Sequence, residues 1–409
     1  MRATEKYLKN NSTVLINDKP NSNLGIIVTI PAFNEAELIK SLDSLLACDK
    51  PSCAVELIVN VNFPEQSSET TKYFNKQCFS IVENFAKHNS TESFNIYILF
   101  SPNQKTKTAG VGLARKQAMD EAFRRFISID NENGIITGFD ADSVCDKNYF
   151  TEIENLFGKN IKAKACSIRF QHPLKGSKYS PEIYEAVALY ELHLRYFINA
   201  QKIIRTPYAY QTVGSSFAVR AKYYAQVNGM SPKKAGEDFY FLQKVIALGG
   251  FSNLNSTCVY PSSRISNRVG FGTGPSVAEI SETGEKLTYN LKSFFQIKLL
   301  FDSLLNLYNG ELSFKNLPLD PLFLAYLEKQ KADAIIENLK KNNKDFIKFK
   351  AAFMQWFGGF QILKILNILA HSQEFKYISV IQAVNELSIV EKSDDVFKLL
   401  HRLREFDAK

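Results

Sequence analysis

Apolar runs alternating with helical stretches fill the first 140 residues and leave little choice of architecture. Gly25–Ile30, Val55–Val61, Asn95–Phe100 and the run from Ile135 to Asp140 read as buried strands. Between them lie helical stretches at Glu35–Ala47, about Ser67–Lys87, and from the Lys105–Gly112 loop to about Phe126. In the first of these, Leu38, Ile39, Leu42, Leu45 and Leu46 share one face. Strand–helix alternation at such lengths predicts an α/β fold built on a mainly parallel, open sheet flanked by helices. Pro31 ends the first strand, and Asn34 is placed to cap the helix behind it.

The fourth strand ends on two carboxylates, Asp140 and Asp142, where the chain leaves the sheet. The carboxyl ends of strands in such a sheet form the binding crevice, so these acids belong at its rim. Two acids at that spacing repel one another, and a hard divalent cation bridging to phosphate relieves the repulsion. A lone Asp-x-Asp is more often a helix cap beside a solvated acid, so the pair needs company to mean chemistry. Lys105-Thr106-Lys107-Thr108-Ala109-Gly110-Val111-Gly112 is a basic loop opening a helix, where backbone N–H groups with Arg115 nearby offer a phosphate seat. No Gly-x-Gly-x-x-Gly follows the first strand and no Gly-Lys-Ser/Thr P-loop occurs, which argues against a dinucleotide fold.

The chain of 409 residues is long for a single core. Its net charge of +8 is spread without a dense basic run, which suits anionic substrates or a membrane surface and gives no case for nucleic acid. Six scattered cysteines with no Cys-x-x-Cys pair read as reduced thiols, and the polar residues from Met1 to Pro20 do not read as a signal peptide. The expectation is a cytoplasmic protein. The most apolar segment, Ala351–Ala370, carries Gln355, Gln361, Lys364 and Asn367 and falls short of a bilayer span. Peripheral contact at the inner membrane face stays open.

Further along, Ala163–Phe170 reads as a strand and Pro181–Ile203 as a long helix whose Tyr184, Tyr190, Tyr196 and Phe197 belong in a core. Gly214-Ser215-Ser216 marks a close approach between strand pieces. Gly236-Glu237-Asp238 starts a helix, Phe239–Leu248, stopped by Gly249-Gly250. From about Glu282 the pattern is helical, with three or four helices and Lys-rich patches such as Lys340–Lys350. No solenoid repeat occurs. The expected divisions are a loose lead-in over 1–23, an α/β domain over 24–275 and a helical region over 276–409.

Together, Val28-Thr29-Ile30-Pro31-Ala32-Phe33-Asn34-Glu35, Asp140-Ala141-Asp142, Gly214-Ser215-Ser216-Phe217-Ala218-Val219-Arg220 and Gly236-Glu237-Asp238 resemble the family-2 glycosyltransferases of the GT-A fold. The resemblance covers about residues 24–275. It implies transfer of a hexose-type sugar from a nucleotide-sugar donor to an acceptor hydroxyl, with inversion favoured and retention on the same fold the alternative. It implies a divalent cation, Mn2+ or Mg2+, held by Asp142 with help from Asp140, to neutralise the diphosphate leaving group. Asp238, beside Glu237, is the implied base. Pro31, Ala32, Asn34 and Glu35 would line the nucleoside pocket, with Arg115, Asp140 and Ala141 also facing the donor.

Departures from the family pattern matter. Asn62, with Asn60 before it, stands where the family has an Asp-Asp pair that reads the base, so uracil is not assumed. Arg264 and Arg268 fall where a metal-binding His is common, and they suit a forked diphosphate clamp. The Gln-x-x-Arg-Trp signature of processive members is missing, which implies a nonprocessive enzyme. His172 and His193 read as structural. The acceptor (a saccharide, a lipid-linked species or a small molecule) and the oligomeric state are left open. Two rivals stand: a sugar-phosphate nucleotidyltransferase, which would need a Gly-rich basic loop after the first strand, and a noncatalytic nucleotide-sugar-binding scaffold.

Overall fold

The computed structural model describes residues 2–265 and 273–409. In chain order the elements are α1 (Ala3–Asn10), β1 (Leu24–Ala32), α2 (Leu38–Leu46), β2 (Ala54–Pro64), α3 (Glu69–Asn89), β3 (Phe94–Gln104), α4 (Val111–Ser128), β4 (Ile135–Gly138) and β5 (Val144–Cys145). Then come α5 (Tyr149–Lys159), β6 (Ala165–Phe170), α6 (Pro181–Ile203), β7 (Phe217–Arg220), α7 (Ala221–Gln226), α8 (Glu237–Ala247), β8 (Phe251–Tyr260) and α9 (Thr273–Thr283). The remainder comprises β9 (Leu287–Thr288), α10 (Leu291–Asp302), α11 (Leu304–Asn309), α12 (Pro321–Lys329), α13 (Ala332–Asn342), α14 (Phe346–Trp356), α15 (Gly359–Leu369), β10 (Ile378–Ser379), α16 (Val380–Leu387) and α17 (Val396–Ala408).

Two compact units emerge. The first holds residues 1–179, 212–276 and 408–409; the second holds 180–211 and 277–407. The first is α/β, on an eight-stranded sheet of order β3-β2-β1-β4-β7-β6-β8-β5. β1 lies between β2 and β4, parallel to both. Helices cover both faces of a parallel sheet, so its central strands are near-continuous apolar runs rather than alternating ones. Ile26, Ile27, Val28 and Ile30 accordingly have no exposed surface. β7 runs antiparallel to β4 and to β6, which makes the sheet mixed beyond β4. In β8, Ser252, Asn253, Asn255, Ser256 and Thr257 interrupt the apolar residues, and its pattern did not mark a strand; Phe251, Leu254, Thr257, Cys258 and Val259 are buried.

The lead-in is not loose. α1 buries Tyr7, whose hydroxyl donates to Asp120 Oδ1 at 2.6 Å, and Thr4 Oγ1 donates to Glu132 at 2.9 Å. Burial of a ring with a satisfied hydroxyl offsets the entropy of ordering a short terminal helix.

The second unit is helical apart from the β9–β10 pair. Its long helix α6, expected to belong with the sheet, instead packs with the C-terminal helices, because its apolar and aromatic face has its partners there. Tyr196 donates to the carbonyl of Tyr289, and its ring meets Phe294 edge-on at 6.1 Å. Fully buried Glu191 accepts from Arg195 at 2.9 Å and from Arg404 at 2.8 Å, and Arg195 reaches Asp407 at 2.8 Å. Gly358 and Gly359 split the apolar 351–370 segment between α14 and α15. Among the described residues no helix is long and apolar enough to cross a membrane.

Candidate active site

All the described site residues lie in the first unit: Arg115 on α4, Glu237 and Asp238 opening α8, Arg264 after β8, and others at the carboxyl ends of β1, β2 and β4. Adjacent parallel strands end level there: Pro31 pairs with Asn60 and Ala32 with Val61, while Thr29 pairs with Gly138. Beyond Gly138 the chain crosses tightly over the segment before β7. A β-carbon at Gly138 would meet the Phe217 ring at 2.3 Å and the Gly214 carbonyl at 2.5 Å, so only glycine fits. This crossing brings the Asp140–Asp142 segment beside Gly214.

Arg115 on α4 joins the parts. Its residue is 2% exposed, and its guanidinium donates to the Gly214 carbonyl and, through Nη2, to Asp140 Oδ1 at 2.9 Å. Nε stands 3.3 Å from Glu237 Oε1, an ion pair without hydrogen-bond alignment. Burial alone would lower the Arg115 pKa, but Asp140, Glu237 and Asp238 together hold it above its ordinary value. Arg115 thus ties Asp140 and Gly214 together from beneath. Nη1 and Nη2 each donate to a protein acceptor, while Nε makes no hydrogen bond.

Glu237 and Asp238 open α8 behind Gly236, which takes the left-handed conformation at φ 68°. Burial pushes the Glu237 carboxyl up to about 7, against the pull of Arg115 and with added repulsion from Asp238. Asp238 is raised as well, first by loss of solvent, while Arg115 and the Phe239 N–H, donating at 2.7 Å, pull the other way. The helix start favours the charged forms.

A second guanidinium spans the opposite side. Arg264 Nη1 donates to Glu35 Oε1 at 2.9 Å, and Nη2 lies 2.7 Å from Asp142 Oδ2. Glu35 is 7% exposed and also accepts from the Glu37 N–H at 3.0 Å. The acid after β1 is thus tied to the acid after β4. Arg268 lies outside the described residues.

Pro31 and Ala32 end β1, Ala32 buried. Asn34 does not cap a helix: it sits at φ 49°, its N–H donates to Asn75 Oδ1 at 2.9 Å, and α2 begins only at Leu38. Left-handed backbone turns the chain away from helix at that point, and asparagine tolerates it better than most residues. Asn62 is buried, and its amide nitrogen donates to the Gly110 carbonyl at 3.0 Å, fastening β2 to the start of α4. One of its two amide hydrogens is used internally in this way. His172 is buried edge-on to Phe170 at 5.7 Å; burial lowers His193 to about 3, so its ring is neutral beside Thr288.

One positioning device had no counterpart in the motif reading. Ser41, Ser44 and Cys48 occupy one stripe of α2 and its end. Ser41 Oγ donates to the Ala141 carbonyl at 2.9 Å, Ser44 Oγ accepts from the Cys145 N–H at 2.9 Å, and Cys48 Sγ lies 3.6 Å from Cys145 Sγ. Their i, i+3, i+7 spacing was the signal available: a small polar stripe beside the leucine stripe.

The arrangement suits a cation. Glu35, Asp140, Asp142, Glu237 and Asp238 share Arg115 and Arg264, so these seven side chains carry three net negative charges when all are ionised. Among the described residues only Oδ1 of Asp140 is taken, by Arg115, and the side chain is 38% exposed. No set of three or more His, Cys, Asp or Glu side chains converges among the described residues. One or two carboxylates completed by phosphate and water are what Mg2+ ordinarily uses.

No protein-family model matches the chain, and no curated protein sequence does. Among solved structures it is similar to Staphylococcus aureus TarS residues 1–349 in complex with UDP-GlcNAc. The identity is 16% and the TM-score 0.42, covering 94% of this chain and 88% of that one. It is also similar to the mannosyltransferase PcManGT from Pyrobaculum calidifontis in complex with GDP-Man and Mn2+. There the identity is 13% and the TM-score 0.33, covering 100% of this chain and 96% of that one.

Proposed function

We propose that this protein is a nonprocessive glycosyltransferase of the family-2, GT-A type. It moves a hexose-type sugar from a nucleotide-diphosphate sugar to an acceptor hydroxyl, with inversion. The observation that carries the reading is the Arg115 bridge, which links Asp140 of the Asp-x-Asp to the Glu237–Asp238 pair. A leaving-group end and a proton-accepting end are thereby held in one constellation.

Asp140, through its Oδ2, and Asp142 would hold a divalent cation, Mn2+ or Mg2+, which supplies charge neutralisation for a departing diphosphate. In the transfer, Asp238 takes the proton of the acceptor hydroxyl. That oxygen attacks the anomeric carbon, and the bond from this carbon to the diphosphate oxygen breaks. The nucleoside diphosphate leaves with the electron pair. Arg115 keeps positive charge beneath Asp140 and Glu237, and Glu35 and Arg264 frame the donor side.

The test is turnover of a panel of nucleotide-sugars, with and without manganese, scored for release of nucleoside diphosphate. Metal-dependent release from one donor is expected. Release from none would leave only a binding protein, and formation of nucleotide-sugar from sugar phosphate and nucleoside triphosphate would make it a nucleotidyltransferase.

A further inference from the structure

In the second unit, the connection between α13 and α14 gathers charge and exposed apolar surface at one tip. Residues 337–350 hold Lys340, Lys341, Lys344, Lys348 and Lys350 against Glu337 and Asp345, a net charge of +3. Lys341, Lys344, Lys348 and Lys350 are exposed. Among them stands Ile347, 81% exposed in the first turn of α14. Single exposed aliphatics are ordinary on a protein surface. Here Lys344, Lys348 and Lys350 flank the exposed Ile347 in sequence, and the helix behind it is packed against α11.

Asp345 caps α14 by accepting from the Lys348 N–H at 2.9 Å. Tyr308 of α11 packs on Phe346 and Phe349, with ring centres 5.8 and 5.0 Å away, and its hydroxyl donates to the Lys344 carbonyl at 2.8 Å. Phe349 and Phe353 are buried, so α14 turns its aromatic face inward and leaves Ile347 outside. Two of the lysines have a neighbouring acid, Lys340 with Glu337 at 3.0 Å and Lys348 with Asp345 at 3.3 Å. Lys341, Lys344 and Lys350 have no ion pair among the described residues. Leu305, one turn before Tyr308, is also exposed.

We propose that this tip docks on an anionic lipid surface, with Ile347 entering the interface and the surrounding lysines meeting the headgroup charge. The lysine stems are long enough to lie along the apolar contact while the ammonium groups stay at headgroup level. Each basic group near an anionic leaflet adds attraction that salt weakens. An aliphatic tip suits acyl chains, and it provides no ring on which a nucleobase would stack. The proposal does not depend on the glycosyl-transfer reading.

Sedimentation of the full chain with vesicles tests it, using phosphatidylcholine alone or a 7:3 mixture with phosphatidylglycerol. Binding to the mixed vesicles is expected to exceed binding to the neutral ones by at least about tenfold and to fall as salt rises. Ile347→Asp is expected to lower it about fivefold or more. Lys341→Glu with Lys344→Glu and Lys350→Glu is expected to abolish it, while Lys50→Glu with Lys76→Glu and Lys87→Glu, the same charge change on the other unit, leaves most of it. Circular dichroism melts show whether each variant is folded. No binding to the mixed vesicles, equal binding to both, or equal loss in the two triple variants would overturn the assignment. Self-association in sedimentation velocity that Ile347→Asp removes, without vesicle binding, would give this face to a second copy of the chain.

Discussion

Arg115 Nε lies 3.3 Å from Glu237 Oε1 although 122 residues separate them in sequence, and both side chains are almost wholly buried. The same guanidinium holds Asp140, so one positive charge underlies the acid after β4 and the acid at the start of α8. An ion pair so deeply enclosed adds little net stability by existing, but removing one partner strands the other in a poor solvent.

Arg115→Met should therefore lower unfolding stability by about 3–5 kcal/mol, read from urea melts, with Arg115→Lys recovering part of it. A melt unchanged by the Met substitution would mean that the bridge is not formed in solution.

Asp142→Ala should abolish manganese-dependent nucleotide binding in calorimetry. Asp238→Asn should leave donor binding intact and reduce transfer about 10²–10⁴-fold, the usual span for a lost general base. Full activity in the Asn variant would remove Asp238 from the reaction; intact binding in the Ala variant would remove Asp142 as a ligand.

Glu237 has a pH signature. Its folded pKa of about 7 lies above the ordinary 4.5, so between those values the folded state binds more protons than the unfolded chain. Its contribution is present in full below 4.5 and is lost as pH rises through 7. Asp238, also raised, acts in the same direction. His193, lowered to about 3, acts oppositely: its contribution is present above 6.5 and is lost as pH falls toward 3. The informative quantity is thus the difference between wild type and Glu237→Gln. Stability of the variant relative to wild type should rise between pH 5 and pH 8, and a flat difference would contradict the burial of Glu237.

Ser44→Ala removes the acceptor of the Cys145 N–H. The expected cost is about 1–3 kcal/mol, the desolvation penalty of an orphaned donor. Weaker donor binding should accompany it, because the segment from Ala141 to Cys145 loses one of its ties to α2. An unchanged melt together with unchanged donor affinity would show that this clip is idle.

Local pattern was enough for the elements whose burial is uniform. β1 and β2 declare themselves as apolar runs with both faces covered, and α6 spans Pro181–Ile203, just as its spacing and proline start indicate. The placement of Asp140 at a strand's carboxyl end follows from the same periodicity, since 3.6- and 2-residue periods are imposed by backbone geometry within a few neighbours. β8 escaped notice because its small polar residues hide the run.

Partner choice was decided elsewhere. Nothing near Arg115 in sequence says that it reaches Gly214 and Glu237, or that Arg264 reaches back 229 residues to Glu35. The bond from Asn62 to the Gly110 carbonyl is likewise not legible in sequence. Which unit α6 joins was equally beyond local reading, since an apolar face states that it must be covered and not by what. Charge pairing and face covering depend on distances that only the folded chain sets, whereas helix and strand depend on torsions that each short stretch carries with it.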